Sequence, residues 1–233
     1  RRSVHKVVGL GLMMNLCIGL LFTGAACAFP GPIIGLFSDD QAVISLGIEY
    51  LLLAALSYAF TSVSFLLAGA MRSVGKAWPP MIISAGAVLV NIALNQVFIF
   101  GELGAPAMGV RGAALATLIA RVVEMALMLV FCFLPSSPLR GRLREYISFT
   151  PAFTGKVLLK TLPILLNESC WAVGTMLYVR AYGHIGTHAI AASQICNTVQ
   201  NLFRVACFSL ASSSLVMIGN QIGAGRREQA MIY

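Results

Sequence analysis

The sequence predicts an all-α, polytopic membrane protein with about six transmembrane helices. Three observations predict it. Of 233 residues, 58% are hydrophobic and only 10% charged, with a mean hydropathy of +0.86, whereas soluble domains carry about 25% charged residues. The apolar residues gather into stretches of about 20, the length that crosses a bilayer. The basic residues are dealt out by loop. Arg1, Arg2 and Lys6 precede the first span, and Arg72 and Lys76 follow the second. Arg140, Arg142, Arg144, Lys156 and Lys160 follow the fourth, and Arg226 and Arg227 the sixth. The alternate loops hold Asp39 and Asp40, then Glu102, then His184 and His188, with only Arg111 at the edge of one. This positive-inside alternation predicts a multi-pass protein of the cell (inner) membrane with both ends of the chain in the cytoplasm. It also accounts for the net charge of +8 without nucleic acid, the usual reading of a basic soluble domain.

The first span runs from about Val7 to Phe29, with Gly9, Gly11, Gly19 and Gly24 permitting close helix approach. In the loop Pro30–Asp40 two prolines break the helix, and Asp39 is placed to cap the next one. The second span covers about Val43–Met71. Glu49 lies near its outer end, where a charge reaches water. Trp78 stands at headgroup level and Pro79 and Pro80 suit the start of the third span. Along that span Ser84, Val88, Asn91 and Asn95 trace one face. The two amides need partners inside a membrane, either as glue between helices or as the wall of a solvated cavity. The fourth span, about Ala113–Leu134, carries Arg121 and Glu124 at a spacing that pairs them with each other. Residues Pro135–Lys160 form the longest hydrophilic stretch and read as a linker on the cytoplasmic surface, dividing the chain into residues 1–150 and 151–233.

The fifth span, Thr161–Tyr182, organises the rest. It is apolar enough for a bilayer yet carries Glu168. An acidic residue at the centre of a membrane helix costs about 2.5 to 3.5 kcal/mol on insertion scales, so such a group is a functional-site hypothesis by default. Glu168, Trp171, Thr175, Tyr178 and Tyr182 recur at helical spacing and share a face. Pro163 lies one turn before them and permits a bend. The same face also fits a structural role, with Glu168 tied into a hydrogen bond between helices. A short HIGTH turn leads to the sixth span, about Ile190–Gly219. There Gln194, Asn197, Asn201 and Arg204 step at three and four residues. The two spans form a hairpin, so both polar stripes can face one aqueous cavity, with Arg204 a candidate counter-ion for Glu168.

The six cysteines lie in or beside apolar spans and include no C-x-x-C pair, so they read as small apolar residues rather than disulfides or metal ligands. No H-E-x-x-H, G-x-S-x-G or paired intramembrane aspartates appear, so no enzyme is predicted. The chain opens on Arg1 and stops soon after the sixth span, and it reads as a segment of something longer.

Several stretches together carry a family resemblance. They are PILLNESCWAVG at Pro163–Gly174, YGHIGTHAIAA at Tyr182–Ala192, GNQIGAGR at Gly219–Arg226, MRSVG at Met71–Gly75, the Asn91–Asn95 pair, and the run from Gly109 to Glu124. In order and spacing the chain resembles the multidrug and toxic compound extrusion (MATE) family, in its bacterial branch. The resemblance implies a two-lobe antiporter of twelve helices, of which this chain matches helices three to eight: part of the N-lobe, then the first two helices of the C-lobe. Glu168 matches the C-lobe carboxylate at which members bind a proton or sodium ion. Its usual acidic partner falls on a later helix, and the family often has Asp where Asn95 stands here. The implied activity is proton- or sodium-coupled export of lipophilic, often cationic drugs or toxic metabolites, with no cofactor beyond the coupling ion. Its implied partners are small organic cations, the bilayer and the transporter's remaining helices. The expected cavity residues are Trp171, Thr175, Tyr178, Gln194, Asn197, Asn201, Arg204, Asn91 and Asn95. A flippase for lipid-linked sugars shares the architecture and is the alternative. It calls for more basic residues in the cavity, and only Arg121 and Arg204 lie deep in spans.

Overall fold

Among the described residues every regular element is a helix, because in hydrocarbon each backbone N–H and C=O must be satisfied within its own segment. The computed structural model describes residues 2–226 apart from 38, 39, 135, 136, 138, 142 and 149, together with Glu228. The elements are α1 (Arg2–Ala28), α2 (Pro30–Gly35), α3 (Gln41–Ser73), α4 (Trp78–Phe100), α5 (Val110–Phe133), α6 (Leu143–Ile147), α7 (Pro151–Ile185) and α8 (Thr187–Gly223). A short 3-10 turn lies at Glu102–Gly104. Six of these, all but α2 and α6, are long and apolar enough to cross a membrane.

Local chemistry moves several boundaries away from the sequence reading. The prolines of the first loop start a helix rather than only ending one, since Pro30 occupies the first helical turn of α2. Asp39 lies outside the described residues. The cap of α3 is Asp40, whose side chain accepts from the Ala42 N–H at 2.8 Å. The second half of the expected linker is helical, so α7 begins at Pro151 and runs through Pro163 as one element of 35 residues. At 1.5 Å per residue that is about 52 Å, well beyond a hydrocarbon core of about 30 Å. Lys156 and Lys160 therefore ride on the helix rather than on a loop. The turn to α8 contracts to Gly186, whose φ of 131° favours glycine.

The chain divides into two compact units, Arg1–Ala172 and Val173–Tyr233. In the first, α3 packs on α1 and α5, α5 also packs on α4, and α6 folds back on α1. Small residues recur where these helices pack; Ala55 of α3 and Ala114 and Ala116 of α5 are fully buried. Without a hydrophobic drive between helices in lipid, small residues bring backbones close enough for dispersion to hold them. Gly19 does the same against α3, where a Cβ would lie 3.1 Å from Ala59 Cα. Thr23 adds an interhelical bond, donating to the Ala55 carbonyl at 2.8 Å. Where α1, α3, α4, α5 and α6 converge, Val8, Leu67, Met71, Ile83, Met128, Cys132, Leu139 and Tyr146 form one core cluster.

That cluster fastens the stretch after α5. Tyr146 donates its hydroxyl to the Leu139 carbonyl and stacks at a tilt on His5, ring centroids 5.1 Å apart. Burial, then the neighbouring Cys132 and Glu145, push the Tyr146 phenol above its ordinary range. The backbone of Tyr146 sits so close to Gly9 that no Cβ fits between them. In the second unit, α8 follows the remainder of α7 through Gly186. No described residue of α7 or α8 is buried.

Candidate functional site

Glu168 stands near the middle of α7, and its side chain is exposed. Trp171 is on the same helix one turn on, and Thr175, Tyr178 and Tyr182 continue the series into the second unit. All five are exposed, Trp171 to 58% and Tyr178 to 68%. On α8, Gln194, Asn197, Asn201 and Arg204 are also exposed. Asn197 Nδ2 donates to Ser193 Oγ at 3.5 Å, and Thr198 Oγ1 donates to the Gln194 carbonyl at 2.9 Å. These are bonds within one helix, so they leave most of the amide capacity of the stripe for other partners.

The first unit holds a second polar group, between α4 and α5. Glu124 is buried to all but 5%, at a depth where an isolated carboxylate is costly. Arg121 Nη1 donates to Glu124 Oε2 at 2.6 Å, the pairing the spacing predicts. A second donor was not legible: Ser84 Oγ–H, from α4, donates to Glu124 Oε1 at 2.7 Å. Both carboxylate oxygens are thereby satisfied, which is what a buried ion pair needs to offset its desolvation.

Two turns further along, Asn95 Nδ2 donates to Asn91 Oδ1 at 3.1 Å, and Asn91 Nδ2 donates to Thr117 Oγ1 at 3.4 Å. Thr117 in turn donates to the Ala113 carbonyl at 2.9 Å. Asn95 Oδ1 is buried without a donor. A small cavity of about 130 Å³ opens beside this chain, lined by Ala87, Val88, Asn91, Thr117, Ala120 and Arg121.

The two groups share one register. Ser84 meets Glu124 and Asn91 meets Thr117, each pair seven residues from the other on both helices. Antiparallel neighbours joined by a short connection bring matching heptad positions together. Thr117, Arg121 and Glu124 are spaced four and three apart, so they form a stripe facing the one on α4. That periodicity was the available signal for Thr117.

Glu49 also gains a partner the sequence did not reveal. Arg111 Nε donates to Glu49 Oε2 at 2.9 Å and Nη2 to Oε1 at 2.8 Å, a bidentate pair joining α3 to α5 near their shared end.

The family model that matches this chain is MatE, over residues 1–97 and 163–233. The probable multidrug resistance protein YoeA of Bacillus subtilis is 23% identical over 95% of this chain and 48% of its own length. The probable multidrug resistance protein NorM of Thermotoga maritima is 24% identical over 99% of this chain and 49% of its own. The chain thus spans about half the length of these relatives. Among solved structures, a MOP-superfamily transporter from Pyrococcus furiosus superposes with a TM-score of 0.81 at 21% identity, over 98% of this chain and 51% of that one.

Proposed function

The chain belongs to the MatE family, and on that premise we propose that it is the central portion of a cation-coupled antiporter. In this reading residues 1–150 contribute to one lobe and 151–233 to the other, with both ends of the chain cytoplasmic in the cell membrane. The transporter's remaining helices complete each lobe. It exports lipophilic, often cationic drugs or toxic metabolites by alternating access. The observation that carries the reading is Glu168, an exposed carboxylate in the middle of an apolar helix.

The mechanism follows from charge. A carboxylate can be neutralised either by a proton or by a sodium ion held in its place. A lipophilic cation competes for the same charge, and Trp171 and Tyr178 offer their ring faces to it. Thr175, Gln194, Asn197, Asn201 and Arg204 supply polar groups on one lobe, and Asn91 and Asn95 supply them on the other. Because one site cannot hold both cations at once, rocking of the lobes exchanges one for the other across the membrane. Beyond the uptake and release of a proton, nothing in this scheme makes or breaks a covalent bond, so no enzymatic step is invoked.

The test is Glu168→Gln in the complete transporter. It keeps the size and hydrogen bonding of the side chain but removes the charge. We expect normal membrane levels, loss of ion-driven dye efflux and loss of drug resistance in cells. Resistance at the level of the unaltered protein would overturn the reading. A parallel assay of lipid-linked sugar translocation separates it from the flippase reading.

A further inference from the structure

We propose that the apolar groove between α1 and α3, at their cytoplasmic ends, seats one acyl chain of an anionic phospholipid of the cytoplasmic leaflet, with Arg72 as the residue that binds its phosphate. The proposal goes beyond the efflux reading above. It takes from that reading the topology alone and uses none of its coupling chemistry.

The groove has a volume of about 500 Å³, within the range of about 300–1,000 Å³ for small-ligand pockets. One wall is Val4, Val7 and Val8 of α1, and the other is Phe65, Gly69 and Ser73 of α3. Each set recurs at three or four residues, so each is one face of its helix. Phe65 is 75% exposed. Gly69 leaves the floor open, since a Cβ there would meet only Arg72 Nη2, at 4.0 Å. Phe65 to Ser73 measures about 12 Å along the helix axis. A packed helix, about 10–12 Å across, would sweep about 1,000 Å³ over that length, well over what the groove holds. A single hydrocarbon chain is far slimmer, and filling the groove restores the dispersion contacts that a void forfeits.

The polar end decides which lipid. The Arg72 guanidinium lies back over Gly69, at the groove, because helical side chains lean toward the N-terminus of their helix. Among the described residues no carboxylate pairs with it. A guanidinium's fork of N–H donors matches a phosphate in bidentate fashion. The chain then turns at Gly75, with a φ of 80°, and the Lys76 N–H donates to the Met71 carbonyl at 3.0 Å. That turn keeps a second basic residue at this end. Basic pockets between membrane helices on the cytoplasmic side suit lipid headgroups, and that leaflet carries the anionic lipids. The phosphate therefore sits at the Ser73 end, and the tail runs toward Phe65.

The experiment uses the complete transporter in nanodiscs that carry, as a minor component, phosphatidylglycerol or phosphatidylcholine with the same diazirine-bearing acyl chain. After illumination the labelled peptides are mapped. Phosphatidylglycerol is expected to label residues 4–8 and 65–73 about fivefold more than phosphatidylcholine, the scale of one basic residue at an anionic membrane surface. Arg72→Gln should erase that preference and leave labelling by phosphatidylcholine unchanged. Gly69→Leu fills the open floor and should remove labelling by both lipids, with helicity and melting temperature unchanged. Equal labelling by the two lipids in the unaltered protein would overturn the proposal. So would absence of label from both segments, the result if a remaining helix of the transporter or a second copy covers the groove. Sidedness is read separately, from reaction of Ala77→Cys with a membrane-impermeant maleimide in intact cells. No gain over the unaltered protein is expected until the cells are permeabilised. A gain in intact cells would place this end outside and overturn the leaflet assignment. Loss of label without that gain would overturn the site and leave the topology of the efflux reading standing.

Discussion

His5 Nδ1 lies 3.4 Å from a carboxylate oxygen of Glu145, closing the start of α1 against the short helix that follows α5. At that separation no hydrogen bond forms, and both ring nitrogens of this buried histidine lack hydrogen-bond partners. The pair is therefore a modest part of what fastens α6. Close packing supplies the rest, through the Tyr146 ring on His5 and the Tyr146 backbone on Gly9.

This ranking is testable. Glu145 is 39% exposed on its side chain, so Glu145→Gln should cost no more than about 1 kcal/mol. Gly9→Ala puts a methyl into the Tyr146 backbone, an overpacking that costs about 1–3 kcal/mol. Limited proteolysis between residues 134 and 150 should accelerate in Gly9→Ala and hardly change in Glu145→Gln. The opposite order would assign the clasp to charge.

The Ser84–Glu124–Arg121 group should behave as a unit. Removing one member of a buried ion pair typically costs about 3–5 kcal/mol, because its partner is left uncompensated. Arg121→Ala is expected in that range, and Ser84→Ala at about 1.5–3 kcal/mol, the range for a hydrogen bond to a charged group. Since both donors serve one carboxylate, the two losses should not add. Unfolding midpoints of the two single variants and the double variant in detergent check this. Strict additivity would show that Ser84 and Arg121 act independently.

Glu49 and Arg111 are well aligned but exposed, with 38% and 59% of their side chains accessible. Exposed pairs are screened by salt within a Debye length of about 10 Å at 0.1 M. Arg111→Glu should lower the melting temperature more at low salt than at high salt. The exchanged pair Glu49→Arg with Arg111→Glu should recover most of the loss. No recovery in the exchanged pair would mean that Arg111 acts through other contacts.

The helices and the number of spans were legible in the sequence because each is a property of a contiguous stretch. Apolar length decides insertion, and that averages over some twenty residues. The Arg121–Glu124 pair was legible too, since both groups lie on one helix at a spacing that brings them together. The cap at Asp40 was missed by one residue in favour of Asp39, because two adjacent carboxylates offer equivalent cap chemistry. The start of α7 was missed because Pro151–Lys160 is too polar to read as a span. A helix longer than the bilayer carries just such residues beyond the hydrocarbon.

By itself the sequence determined that this chain is a set of apolar helices carrying polar stripes, among them Glu168 in mid-span, because solvent transfer and helical period act within a segment. Only the tertiary structure decided which stripes meet. Ser84 finds Glu124, Asn91 finds Thr117 and Glu49 finds Arg111 because packing of small residues sets the register and approach of whole helices. A pairing between distant residues exists only after that register is chosen, and no local pattern contains it.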